Sequence, residues 1–236
     1  MLKGIDISGW QGDIDLSKLD IEFVIVKATE GTNYVNKYCD PKIQQAIKLG
    51  KKWGFYHFAK GGDPIAEANH FIDSCLNYFH HGIPVLDFEA DAVGKGVDWA
   101  RQFLYRVYER TGVRPLIYMS QSVTTRFDWS AVAKEFGLWV AKYPNVKHPN
   151  LDYSADFGAS IGAWDFMAIW QYASDGRING YAGNLDLDHA YMTLDAWDRY
   201  AGVQSEATMQ PNEYTVNPKQ TEVLENDRYK ITIEEK

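Results

Sequence analysis

Short apolar runs alternate with amphipathic stretches along the first two hundred positions of the chain. Residues 3–8, 23–29, 53–59, 84–89, 115–120, 138–143, 167–172 and 185–190 read as eight strands. The second, FVIVKAT, is rich in β-branched residues, which suit a pleated, buried surface. Helical spacing appears at 41–52, where Ile43, Ala46 and Ile47 share a face and Gly50 marks a stop. It recurs at 64–78 and at 97–108, the latter closed by Thr111-Gly112. Strand and helix in alternation predict a parallel sheet, and eight strands within about 190 residues predict a closed barrel. The last three strands have no long helices between them. The expected fold is therefore α/β: a TIM-like barrel of eight mainly parallel strands with an incomplete ring of helices, (β/α)5(β)3-like. The competing open, doubly wound sheet would need a glycine-rich phosphate loop after a strand, and none occurs.

Composition shifts after Ala201. All eight tryptophans lie at or before Trp197, and the remaining residues are polar and charged. The expected organisation is a barrel over 1–200, then a linker with a small β-hairpin or the start of a further module over 201–236. Residues 204–219 have linker composition, and 221–234 alternate about Asn226-Asp227. Charge narrows the partners. With 24 basic and 32 acidic residues the net charge is −8, the wrong sign for a phosphate backbone or an anionic membrane surface. No run of 18 apolar residues occurs, so no membrane insertion is expected. The N-terminus enters a strand directly, without the apolar core of a signal peptide. The expectation is synthesis in a host cytoplasm with release at lysis, or export by another route. Cys39 and Cys75 form no metal-binding spacing; the sequence leaves a disulfide between them open, and two buried free thiols are the preferred expectation. No metal or cofactor is called for, and the sequence sets no oligomeric state.

The candidate chemistry is carboxylate chemistry. Asp6 ends the first strand, Asp87 and Glu89 end the fourth, and Asp186 and Asp188 sit on the eighth. In a parallel barrel the strand C-termini gather on one face, so these acids converge. Asp87 and Glu89, two apart, share a side of their strand, with Phe88 turned toward the helices. Like charges at that range raise a pKa, which keeps one carboxylic acid protonated near neutrality. Glycoside hydrolysis needs such a pair, one acid for the leaving oxygen and one carboxylate for the developing positive charge. Trp10, Tyr56, Tyr118, Trp139, Trp170 and Tyr172 fall at strand ends and are expected to ring the same face, where aromatic faces suit sugar rings. His57 in FYHF reads equally as a hydrogen-bonded core residue or a site residue. Asp186, Asp188 and His189 raise a metal-dependent hydrolase as an alternative, though no third ligand is identifiable. A non-catalytic cell-wall glycan-binding barrel is the other.

At these residues the chain resembles glycoside hydrolase family 25, the lysozymes of the N,O-diacetylmuramidase type. GIDISGWQG, FVIVKATEGTNYVN, GFYHFA, PVLDFE, PLIYMS, LWVAKYP and IWQYASDGRINGYAGNLDLDHAY follow the family's motifs in order over about residues 3–197. The resemblance implies cleavage of the β-1,4 bond between N-acetylmuramic acid and N-acetylglucosamine in bacterial peptidoglycan. It implies Glu89 as general acid, with Asp87, Asp6 and Asp186 as companion carboxylates. It implies Tyr56, Tyr118, Trp170 and Gln171 as substrate contacts, to which the aromatic pattern adds Trp139 and Tyr172. Asp188 belongs with these contacts, standing where the family often has Asn. Carboxylate spacing alone does not choose between retention and inversion. The 2-acetamido group of the implied substrate favours a retaining, substrate-assisted route. Phage endolysins and secreted autolysins both occur in the family, and the absent leader fits a phage-type lysin.

Overall fold

The computed structural model describes residues 1–203. The expected linker at 204–219 and hairpin at 221–234 lie outside the described residues. Nine strands form one sheet: β1 (Leu2–Ile7), β2 (Phe23–Glu30), β3 (Tyr34–Val35), β4 (Lys52–Phe58), β5 (Ile83–Asp87), β6 (Leu116–Ser120), β7 (Leu138–Ala141), β8 (Ile169–Gly176) and β9 (Leu185–Ala190). Their order is β1-β9-β8-β7-β6-β5-β4-β2-β3, and a β1–β2 pairing closes eight of them into a barrel. β3 is a two-residue antiparallel appendage to β2. The eight-stranded barrel follows the expectation, and so does the thin helical cover of the last three strands.

One strand departs from the parallel plan. β9 runs antiparallel to both β8 and β1. Acids on β9 therefore reach the carboxylate face from the strand's N-terminal end, not from a C-terminal end as a fully parallel reading supposes. The connection to β9 is short, and a short connection permits antiparallel pairing where a parallel return requires a crossover.

The helices follow local signals. α1 (Cys39–Lys48) stops four residues before the expected end, because Leu49 caps it and Gly50 takes φ +67°, freeing Lys52 to begin β4. α2 (Pro64–Cys75) starts on Asp63, whose side chain accepts from Ala66 N, with Pro64 in the first turn. One 3-10 turn, Leu76–Tyr78, carries it to the expected boundary. α3 (Gly96–Thr111) ends on Gly112 in the left-handed conformation. Two short helices follow, α4 (Gln121–Arg126) and α5 (Ser130–Ala133). Then comes α6 (Leu194–Ala201), which the strand-helix reading omitted. Its signals were present: Thr193 accepts from Ala196 N, and Gly202 closes it at φ +74°.

Two apolar layers result. Outward residues of the strands pack on the helices, with Phe55, Phe71, Phe88, Phe103 and Trp129 fully buried there. Inward residues fill the barrel: Phe23 and Ile25, Ile83 and Val85, Leu116, and Ile169. α6 plugs the barrel at the N-terminal ends of the parallel strands. Trp197 lies 4.9 Å from the Phe23 ring, and Lys52 Nζ bonds Asp198 Oδ1 at 2.5 Å. With that end sealed, the opposite end is where the barrel opens. Among the described residues, no helix is long and apolar enough to cross a membrane.

Candidate active site

The open end holds a cavity of about 260 Å³ lined by Asp6, Asp87, Glu89, Asp186, Lys27, Tyr56, Tyr118, Trp139, Tyr143 and Gln171, with Ser8, Trp10 and Phe58 at its margin. Asp87 is the last residue of β5 and points inward like Val85 and Ile83 before it. Glu89, beyond the strand, keeps an extended backbone and so continues the alternation into the cavity. Phe88 between them is buried outside the barrel, 6.0 Å from Trp99 and 5.7 Å from Trp129. Asp6 and Asp186 are register partners on β1 and β9.

A hydrogen-bonded wall lines one side. Gln171 Nε2 donates to Asp6 Oδ2 at 2.6 Å, while Gln171 Oε1 accepts from Tyr118 Oη at 2.8 Å and from Tyr143 Oη at 2.7 Å. On the other side Lys27 Nζ is held by Glu30 Oε2 at 2.5 Å and lies 4.4 Å from the Phe58 ring centre. Among the described residues that line the cavity, Lys27 is the one cation facing four carboxyls.

That imbalance sets the proton affinities. Burial, then the Glu89 and Asp6 charges, push Asp87 well above the usual carboxylate range, with Lys27 pulling the other way. Burial raises Glu89 as well, again opposed by Lys27. Burial, then Asp6 and Glu89, lift Asp186 to about 8. The Glu89 charge thus makes it harder for Asp87 to lose its proton, as expected for two close carboxyls. Among the described residues no group donates to Asp87 Oδ1, although that atom is buried. Burial pushes Tyr56 and Tyr118 up, helped at Tyr56 by the Asp6 and Asp87 charges and at Tyr118 by Tyr143 and then Asp87. The cavity thus gathers carboxyls of raised proton affinity against a polar and aromatic wall.

The family model for glycosyl hydrolases family 25 matches residues 5–181. The chain belongs to family 25. An autolytic lysozyme from Clostridium acetobutylicum is 29% identical over 194 residues, covering 79% of this chain and 55% of that protein. Lysozyme M1 from Streptomyces globisporus is 30% identical over 204 residues, covering 78% of this chain and 66% of that protein. The chain therefore spans about half to two thirds of the length of these curated relatives. The crystal structure of the bacterial lysozyme from Streptomyces coelicolor superposes with a TM-score of 0.73 at 26% identity, covering 85% of this chain and 96% of that one.

Of the site residues expected from the sequence, Asp6, Asp87, Glu89, Asp186, Tyr56, Tyr118, Trp139 and Gln171 meet at this cavity. Three do not line it. Trp170 and Tyr172 flank Gln171 in β8; because Gln171 points in, they point out. Trp170 Nε1 donates to Lys142 O at 2.8 Å and Tyr172 Oη to Asn150 O at 3.0 Å, both in the outer layer. Asp188 points inward but is fully buried beneath the cavity, accepting from Trp139 Nε1 at 2.8 Å. His189 faces outward onto Tyr172, 4.4 Å between ring centres, so it cannot join Asp186 and Asp188 around one metal. His57 is a core residue, bonded to Thr29 Oγ1 at 2.8 Å and Glu67 Oε2 at 3.0 Å. Cys39 and Cys75 are buried and free, and burial pushes the Cys39 thiol up to about 12. Four lining residues were not singled out from the sequence: Ser8, Lys27, Phe58 and Tyr143. Each lies two positions beyond an inward residue (Asp6, Ile25, Tyr56 and Ala141), so following the period-two pattern along β2 and β4, and past the ends of β1 and β7, finds them.

Proposed function

We propose that this chain is a lysozyme that hydrolyses the β-1,4 bond between N-acetylmuramic acid and N-acetylglucosamine in bacterial peptidoglycan, with Glu89 as general acid. The observation that carries the reading is Asp87 Oδ1, a buried carboxylate oxygen to which none of the described residues donates, beside a second carboxyl that opens toward the cavity rim. Without substrate, deeper burial favours the proton on Asp87. The N–H of a 2-acetamido group donated to Oδ1 reverses that preference, because a hydrogen bond to the charged form stabilises it. Asp87 becomes the anion, and the proton of the pair moves to Glu89.

The reaction then proceeds in two displacements. The acetamido carbonyl oxygen attacks the anomeric carbon as its bond to the leaving oxygen breaks. Glu89 gives its proton to that oxygen. Asp87 orients the acetamido group and balances its growing positive charge. Glu89, now ionised, takes a proton from water, which opens the cyclic intermediate and restores the acid, with net retention. Asp6 and Asp186 hold the wall and the negative field beneath the sugar. Tyr56, Tyr118, Trp139 and Gln171 contact the substrate. Residues 1–200 form the catalytic unit and 201–236 an appendage to it. The site of action is the cell wall, reached by release from a host cytoplasm at lysis, as for a phage endolysin, or by another export route.

The test is digestion of purified peptidoglycan with mass spectrometry of the new reducing ends. Muramic acid at the reducing end supports the reading, whereas glucosamine there, or intact glycan, refutes it. Proton NMR of the freshly released sugar should show the β-anomer first, and an initial α-anomer would exclude the retaining route.

A further inference from the structure

Asp188 is the most deeply buried carboxyl of the barrel interior, and the mechanism above does not use it. β9 pairs with β1 so that Asp188 faces Gly4 and Asp186 faces Asp6. Asp188 is therefore the diagonal neighbour of Asp6 on the inner face. Both are buried, Asp6 at 6% exposure on the cavity wall and Asp188 at 0% beneath it. Each carboxyl has one outer donor, Gln171 Nε2 to Asp6 Oδ2 at 2.6 Å and Trp139 Nε1 to Asp188 Oδ1 at 2.8 Å. The two carboxyls are close enough that the charge on Asp188 raises the proton affinity of Asp6. No group among the described residues donates to Asp188 Oδ2. A carboxylate only accepts, so a bond between two carboxyls requires a proton on one of them.

The surroundings do not offset a second charge. The titratable groups that face the pair are Asp186 on β9, Glu89 beyond β5, Asp87 at the end of β5, and the phenols Tyr56 on β4, Tyr118 on β6 and Tyr143 beyond β7. Lys27 on β2 acts on Asp87 and Glu89 instead. Two anions in contact in such a site are excluded, so one proton stays with the pair. Such a proton gives Asp6 a second tie besides Gln171 Nε2. Asp6 in turn fixes the Gln171 amide, whose oxygen must face Tyr118 and Tyr143 because its nitrogen is committed to Asp6.

Resting on the glycosidase reading of the cavity, we propose that Asp188 is a positioning residue that shares one proton with Asp6, and that this buried pair holds the Asp6–Gln171–tyrosine wall in place. Asp6 then serves as a fixed acceptor, and the pair contributes one negative charge rather than two. An amide at position 188 would give Asp6 the same hydrogen bond with no proton to lose.

The experiment compares Asp188→Asn and Asp188→Leu with wild type in the full chain. Infrared difference spectra at neutral pH, wild type minus Asp188→Asn, should contain one protonated-carboxyl C=O band that shifts in heavy water, because Asn leaves Asp6 ionised. Absence of that band overturns the shared proton. On purified peptidoglycan, Asp188→Leu should lose at least about tenfold in kcat/KM, the consequence of leaving a buried carboxyl without its partner. Asp188→Asn should recover most of that loss, since its N–H donates where the shared proton did. An Asn variant no better than Leu overturns the positioning role. If Leu does not fold, the infrared comparison with Asn still decides. That comparison uses no substrate, so a chain that shows the band yet leaves peptidoglycan intact refutes the glycosidase reading and supports the proton-sharing pair.

Discussion

Replacing Asp186 with Asn should stabilise the protein, and the gain should depend on pH in one direction. Asp186 is half-buried at the cavity floor, where burial, Asp6 and Glu89 raise its pKa from 3.8 to about 8. The folded state holds this proton more tightly than the unfolded chain. The associated stability is therefore complete below about pH 4, falls as pH rises, and is gone above about pH 8. At pH 7 the span from 3.8 is 7 − 3.8 = 3.2 units, which at 1.36 kcal/mol per unit sets an upper bound of about 4 kcal/mol. Solvent access to the cavity screens the group, and halving the bound leaves about 2 kcal/mol. Asn has the same shape and no charge to lose. Its advantage over Asp should be near zero at pH 4 and about 2 kcal/mol at pH 7, a rise of about 4–8 °C in Tm for a domain of this size. Urea and thermal unfolding of both proteins at pH 4, 6 and 8 measure it. An advantage that is constant across this range, or shrinks as pH rises, would refute the electrostatic account of the site. Activity should fall in the same variant, the usual exchange of stability for function in a strained site.

Other parts of the structure give further expectations. Glu67→Gln should destabilise the fold by about 2–3 kcal/mol in urea, because Glu67 accepts from His57 Nε2, Lys60 N and Gly62 N, and an amide has one oxygen for these donors; a loss under about 0.5 kcal/mol would mean those donors find other partners. Trp10 is 91% exposed at the cavity margin, so Trp10→Ala should raise KM for soluble glycan fragments about fivefold, roughly 1 kcal/mol of lost aromatic contact, and leave Tm unmoved. Truncation after Val203, just past the Gly202 cap of α6, should leave a barrel that unfolds cooperatively and still cuts soluble fragments. Loss of cooperative unfolding would place the remaining residues in the core.

The strands were legible because each carries a strong local signal. FVIVKATE and PVLD are apolar runs of strand length, and both became barrel strands within a residue or two of the expected bounds. Strand direction was not legible. Apolar alternation in LDLDHA is the same read forward or backward, so nothing local to β9 shows that it runs antiparallel. The carboxylate cluster was readable because acids after buried runs are rare and needed only the barrel to bring them together. The outward turn of Trp170 and Tyr172 was legible in principle. Placing Gln171 in the site already assigns its two neighbours to the other face, and counting aromatics by position rather than by parity obscured this. α6 was missed for a different reason. It follows the last strand, where the alternating plan asks for nothing, yet it seals the barrel floor with Trp197.

The proposed mechanism stands on Glu89 as the acid of a peptidoglycan-cleaving site, and one substitution probes that role without disturbing the rest. Glu89→Gln keeps the size of the side chain and removes the proton that the leaving oxygen needs. Glu89 lies outside the apolar core and adds to the crowded negative charge of the cavity, so the variant should fold and unfold at or above the wild-type temperature. Turnover of purified peptidoglycan should fall on the order of 10²–10⁴-fold, the range that general acid catalysis supplies. A folded Glu89→Gln protein that releases glycan fragments at near the wild-type rate would contradict the assignment.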